Sequence, residues 1–219
     1  MVAAAALLAG AATGRAAEGG APVEIAPYAG FLWGTTIQTQ AGPISTSVAA
    51  DVGATLGFRL EPDRGPGPER TGQLELLYVY GQPAASFQPS LAGAPTLSRF
   101  SIRYQYFQAG GLAGFPQEGY EPFVSASLGA LWISPCGVTA ADGSPVQVGD
   151  GWAFAATLGG GVKWYLSQAV GLRLGARLMV PVFFQSAAFF SGPGGAALVV
   201  SAGIPQVQGD FTLGLILGP

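Results

Sequence analysis

The chain has 219 residues, nine Lys and Arg against twelve Asp and Glu, and a net charge of −3. That is the length of a single domain, without the basic excess that nucleic-acid binding requires. Histidine is absent, which excludes Ser-His-Asp hydrolysis, His-bearing metal sites and His acid–base catalysis.

Only 10% of residues are charged, 49% are hydrophobic, and mean hydropathy is +0.41. A soluble domain carries about a quarter charged residues. No run approaches the roughly 18 apolar residues of a membrane-spanning helix. The 35 glycines and 17 prolines oppose long helices, so the composition points to β structure. The single cysteine, Cys136, has no internal disulfide partner and reads as a loop thiol.

In chain order, residues 1–16 read as a secretory signal peptide, with an apolar stretch from Val2 to Ala12 and small residues suited to cleavage. Residues 17–22 read as a short periplasmic segment, and 23–219 as one domain. Strict period-2 alternation then recurs, the signature of half-buried strands. Strands are expected at 23–33, 48–60, 73–80, 100–106, 122–133, 154–166, 170–182 and 207–217. The clearest is 48–60, VAADVGATLGFRL, where Val48, Ala50, Val52, Ala54, Leu56, Phe58 and Leu60 oppose Ala49, Asp51, Gly53, Thr55, Gly57 and Arg59. As a helix the same residues would show no apolar stripe. In 100–106 the expectation sets Phe100, Ile102, Tyr104 and Tyr106 against Ser101, Arg103 and Gln105, with a bulge near Gln108 restoring the phase downstream. In 170–182, leucines and valines oppose Gly171, Arg173, Gly175 and Arg177. The connections 34–47, 81–98, 134–151 and 183–206 are long, 61–72 is intermediate, and 116–120 and 167–169 are tight. Segment 196–204 is apolar enough to extend the last hairpin.

Long loops at one end and short turns at the other are the habit of outer-membrane barrels. Strands of 10–13 residues suit a tilted membrane crossing, whereas strands of soluble proteins average five or six. The polar face is glycine-rich with isolated charges, unlike a water-facing surface. The expectation is therefore an all-β, eight-stranded antiparallel up-and-down transmembrane barrel with its apolar face outward. Asp51, Arg59, Glu75, Arg103, Lys163, Arg173, Arg177 and Asp210 should then form a structural ion-pair network in a lumen just wide enough for side chains. Neighbouring glycines, Gly53, Gly57, Gly159, Gly161, Gly171 and Gly175, should make room for the long arginines. Trp33, Phe58, Tyr80, Tyr104, Tyr106, Trp132 and Trp164 are expected at the membrane interfaces.

The segments Pro27-Tyr28-Ala29-Gly30-Phe31, YEPFVSASLGA (120–130), GWAFAATLGGGVKWYLS (151–167) and VGLRLGARL (170–178) resemble the small eight-stranded outer-membrane β-barrels of the OmpA/OmpX/OmpW-like group. The resemblance implies insertion by the barrel-assembly machinery among outer-membrane lipid and lipopolysaccharide, with extracellular loops and periplasmic termini. The function expected is non-enzymatic, a structural or surface-interaction role, without cofactor or metal, in a monomer. A narrow channel or carrier for small solutes is the alternative. A lipid-acting enzyme would need a nucleophile–base pair that cannot be named here, and a soluble periplasmic barrel would turn the apolar face inward.

Overall fold

The structure is a computed structural model that describes residues 23–39, 42–60, 70–88, 100–140, 142–146, 149–167, 169–182, 187–191, 197–200 and 207–218. The signal peptide and N-terminal segment read from the sequence lie outside the described residues, as does most of 61–72. Among the described residues there is no helix, and so none long and apolar enough to cross a membrane.

Among the described residues thirteen strands form one sheet, and eight of them close into a barrel. These are β1 (Val23–Leu32), β4 (Ala49–Arg59), β5 (Thr71–Gly81), β7 (Phe100–Gly114), β8 (Glu121–Cys136), β9 (Gly151–Tyr165), β10 (Val170–Val182) and β13 (Gln208–Leu217). Each pairs antiparallel with the next in that order, and β1 with β13 completes the ring. A closed ring leaves no edge along the barrel wall. The tight turns hold together locally. Between β7 and β8 the Gln117 N–H donates to the Tyr120 carbonyl at 2.9 Å, with Gly119 at φ 83°, a conformation that suits glycine. Before β10 the Ser167 hydroxyl accepts from the Ala169 and Val170 N–H groups at 3.2 and 3.1 Å.

Beyond the opposite end the wall continues. Strands β2 (Thr36–Thr39), β3 (Gly42–Thr46), β6 (Ala84–Phe87), β11 (Ala187–Ser191) and β12 (Ala197–Val200) extend the sheet from β7 in the order β6, β3, β2, β12, β11. The sequence marks these regions as the long connections 34–47, 81–98 and 183–206, with 196–204 as an apolar segment. Strands of four or five residues are too short for alternation to separate them from loop. Ile44, Ala85 and Phe87 are buried beneath this extension.

Alternation places one face of every barrel strand inside. The loop-end half of the interior is an apolar core that includes Leu32, Val79, Ile102, Tyr104, Leu131, Ile133, Ala153 and Met179. The turn-end half holds the charges. The outer face is mostly apolar, with Phe31 and Leu158 each 65% exposed and Trp152 63% exposed.

One strand departs from expectation. β7 keeps a continuous register with both neighbours and carries no bulge at Gln108. Gln108 and Leu112 point inward, so unbroken period-2 alternation turns Tyr106, Tyr104 and Ile102 inward as well. Ser101, Arg103 and Gln105 face out.

Candidate functional site

The charged interior is the candidate site. Glu24 on β1, Asp51 and Arg59 on β4, Glu75 on β5, Glu121 on β8, Lys163 on β9, Arg173 and Arg177 on β10, and Asp210 on β13 all occupy inward positions. An ion in this space costs several kcal/mol to strip of water unless partners replace the solvent, and nearly all of these groups have them.

At the turn end, Lys163 Nζ contacts the Glu24 carboxylate at 2.9 Å and donates to Gln73 Oε1 at 2.7 Å. Arg59 donates to the Tyr165 hydroxyl at 2.8 Å, and that hydroxyl donates to Glu121 Oε2 at 3.1 Å. The Thr71 hydroxyl donates to Glu121 Oε1 at 2.6 Å. One level in, Arg173 grips Glu75 through two bonds, Nη1 to Oε1 at 2.5 Å and Nη2 to Oε2 at 3.2 Å, and Nη1 reaches the Thr55 hydroxyl at 3.1 Å. The guanidinium lies over the Phe123 ring, 4.5 Å from its centroid. Arg177 pairs with Asp210 at 3.3 Å, its register partner on the next strand, and donates to the Tyr28 hydroxyl at 2.8 Å. Asp51 lies within electrostatic reach of Arg177 and Asp210, but neither of its buried oxygens has a hydrogen-bond partner.

Above the charges sits a neutral layer. Gln108 Oε1 accepts from Ser127 at 3.0 Å and Thr157 at 2.7 Å, and its Nε2 donates to the Ala155 carbonyl at 3.1 Å. The Tyr106 hydroxyl donates to Gln208 Oε1 at 2.6 Å. Three of these ties join strands four places apart in the ring of eight, the full width of the barrel: Arg173 with Glu75, Arg59 with Tyr165, and Tyr106 with Gln208.

Glycine makes room, though mainly for other side chains than the arginines. A Cβ at Gly57 would land in the Gln73 amide, and one at Gly53 would meet the Tyr28 phenol. Of the expected glycines, Gly159 borders an arginine stem: a Cβ there would lie 3.1 Å from Arg177 Cγ.

Seven of the eight residues named from the sequence share this interior: Asp51, Arg59, Glu75, Lys163, Arg173, Arg177 and Asp210. Arg103 does not, because the unbroken phase of β7 puts it on the outer wall. Of the aromatic residues, Trp33, Phe58, Tyr80, Trp132 and Trp164 face outward, whereas Tyr104 and Tyr106 are 3% and 1% exposed inside the barrel. The reason is the apolar half of the interior, where an apolar side chain belongs inside. Glu24 and Glu121 complete the network and are absent from the sequence-derived set. Glu24 was legible on the polar face of its strand. Glu121 sits one residue ahead of the segment whose alternation stands out.

A cavity of about 10 Å³ beside Glu75, Arg173, Arg177, Thr55, Ser125 and Thr157 has room for roughly one water molecule. The interior hydroxyls of Ser127 and Thr157 are committed to an amide rather than to a base. Among the described residues no three potential ligands cluster to hold a metal ion. The arrangement ties strands together across the barrel.

No protein-family model and no curated protein matches the sequence. Solved structures do. The chain is similar to Neisserial surface protein A (NspA), with a TM-score of 0.53 at 12% identity, over 89% of this chain and 96% of that one. OprG, an outer membrane protein from Pseudomonas aeruginosa, aligns at 0.46 and 11% identity over 93% and 99% of the two chains. The outer membrane enzyme PagL aligns at 0.42 and 13% identity over 89% and 98%. The likeness to the Neisserial protein is one of fold: this chain is an all-β, closed, eight-stranded antiparallel barrel of the kind found among small outer-membrane proteins.

Proposed function

We propose that this protein is a non-enzymatic β-barrel of the bacterial outer membrane with a structural or surface-interaction role, its lumen plugged by the ion-pair network. The observation that carries the proposal is the outer face. Around the whole ring it presents Leu, Val, Phe and Trp, including Phe31, Leu76, Leu128, Leu158, Leu174 and Leu213, each at least 49% exposed. Monomeric soluble proteins rarely expose a continuous apolar surface on this scale, while lipid covers it without cost. Trp33, Tyr80, Trp132 and Trp152 gather toward the loop end and Phe58, Trp164 and Tyr120 toward the turn end, as expected of groups at two membrane interfaces.

In this arrangement the long connections and their strand extension face the cell exterior, and the termini face the periplasm. Residues 1–16 serve as the export signal, and the barrel-assembly machinery inserts the chain as a monomer among outer-membrane lipid and lipopolysaccharide. The ties across the barrel and the one-water cavity favour a closed lumen over the alternative, a narrow channel or carrier for small solutes. Two measurements test this. The refolded protein should require detergent and migrate differently on gels before and after boiling; solubility without detergent sinks the membrane assignment. In planar bilayers it should show no stable opening, and a sustained conductance step would replace the plug with a channel.

A further inference from the structure

Arg103 is the one charged residue that the described barrel strands turn outward. Every other outward position on the eight strands is apolar, glycine, or one of a few neutral polar groups. Those neutral groups are not scattered. They surround Arg103 on the wall made by β5, β7 and β8, near the loop end. Gln105 accepts a hydrogen bond from the Tyr78 hydroxyl at 3.1 Å, Gln82 donates to Ser101 at 3.0 Å, and the Tyr80 hydroxyl donates to Gln82 at 3.1 Å. Ser134 is the register partner of Arg103 on β8. Among the described residues Arg103 has no ion pair and no hydrogen bond, and its buried Nε is unpartnered.

Directly toward the middle of the same wall lies an apolar groove of about 660 Å³, bordered by Leu56, Leu76, Tyr78, Phe107, Ala109 and Leu128. Small residues make it a depression, with Ala54, Ala109 and Gly129 among its lining. Tyr78 belongs to both features: its ring packs on Phe107, 5.1 Å between centroids, and its hydroxyl holds Gln105. Arg103 stands four residues beyond Phe107 on β7, about 13 Å along a strand.

The geometry points to a binding site for one phosphorylated membrane lipid, its phosphate on Arg103 and an acyl chain in the groove beneath. A guanidinium is suited to phosphate because its N–H groups form two parallel bonds. Near the interface an outward arginine costs little, and an anionic headgroup supplies the partner that the described residues do not. The amide and hydroxyl groups alongside offer further donors and acceptors to the headgroup. The lipid occupant rests on the membrane assignment proposed above.

The test uses the full chain refolded in a neutral detergent, with native mass spectrometry reading retained lipid. Long-chain phosphatidic acid should bind as one molecule, and diacylglycerol with the same chains should bind about tenfold or more weakly. Arg103→Gln should lose that preference, and Arg103→Lys should recover part of it. Ala109→Phe, which fills the groove, should weaken long-chain phosphatidic acid but leave the dihexanoyl form unchanged. Undiminished retention by Arg103→Gln overturns the site, provided its boiled and unboiled gel migration still differ. Inorganic phosphate competing as strongly as the lipid overturns it too, making Arg103 a free-anion site. Solubility of the wild type without detergent instead overturns the membrane assignment.

Discussion

Arg173 and Glu75 meet across the full width of the barrel, their strands four places apart in the ring, in a two-bond clamp at 2.5 and 3.2 Å. Both side chains are under 10% exposed. Glu75→Ala strands the guanidinium in the interior and should cost about 3–5 kcal/mol. The double variant Glu75→Leu, Arg173→Met replaces the pair by apolar groups of similar bulk and should recover most of that loss. Urea unfolding followed by tryptophan fluorescence measures both. Equal destabilisation by the single and double variants would mean that the clamp's own bonds, and not the stranded charge, dominate.

Gly57 and Gln73 give a second measurable coupling. The Cβ of Gly57→Ala would occupy the Gln73 amide, which is bonded to Lys163 at 2.7 Å. Displacing it leaves buried polar groups short of a partner, at about 1–3 kcal/mol. Gln73→Ala breaks the same bond, so the double variant should cost clearly less than the sum of the two. A double-mutant cycle reads the coupling, and strict additivity would sink the explanation.

The phase of β7 is tested by Tyr106, with Tyr80 on β5 as an outward-facing control. Tyr106→Phe removes the buried bond to Gln208 and should cost about 1–3 kcal/mol. Tyr80→Phe removes a bond on the outer face and should stay within about 0.5 kcal/mol. If Tyr106 faced lipid instead, its loss would cost no more than that of Tyr80.

These tyrosines also mark where the sequence is readable and where it misleads. The seven strands other than β7 show one face of charge, glycine or small polar residues against an apolar one, and there the inside follows from the rule that the polar face points in. Along β7 the rule gives the wrong answer because two conditions change together. The loop-end interior is an apolar core that wants Tyr104, Tyr106 and Ile102, and the outer wall at that level carries Ser101, Arg103 and Gln105. Continuity was the better guide: Gln108 and Leu112 inside, with no bulge, already put Tyr106 inside. The partners were less legible. Arg173 had three candidate acids in the sequence, and the choice of Glu75 depends on strand stagger, which brings particular levels of opposite strands to one height. Alternation within a strand carries no information about that stagger.

The outer face supplies the fourth prediction. Leu158 lies at the middle of β9 and is 65% exposed. In a bilayer Leu158→Arg should cost about 2–4 kcal/mol, whereas Leu166→Arg, at the turn end, should cost under about 1 kcal/mol. Unfolding in lipid vesicles measures the difference. Equal and negligible effects would place that face in water.

The seam between β1 and β13 has a consequence for how the chain folds. Ile25 pairs with Leu217, so the contact that closes the ring joins opposite ends of the sequence, while every other ring contact joins consecutive barrel strands. The last strand also delivers Asp210 to Arg177 and Gln208 to Tyr106. Hairpins can form early, because their loop-closure cost is small. Until β13 docks, however, a cation and a phenol on other strands wait without their partners. Closure and charge neutralisation therefore arrive in one late, long-range event, which makes folding slow. It also gives an open seven-stranded sheet no stable resting state short of the finished barrel.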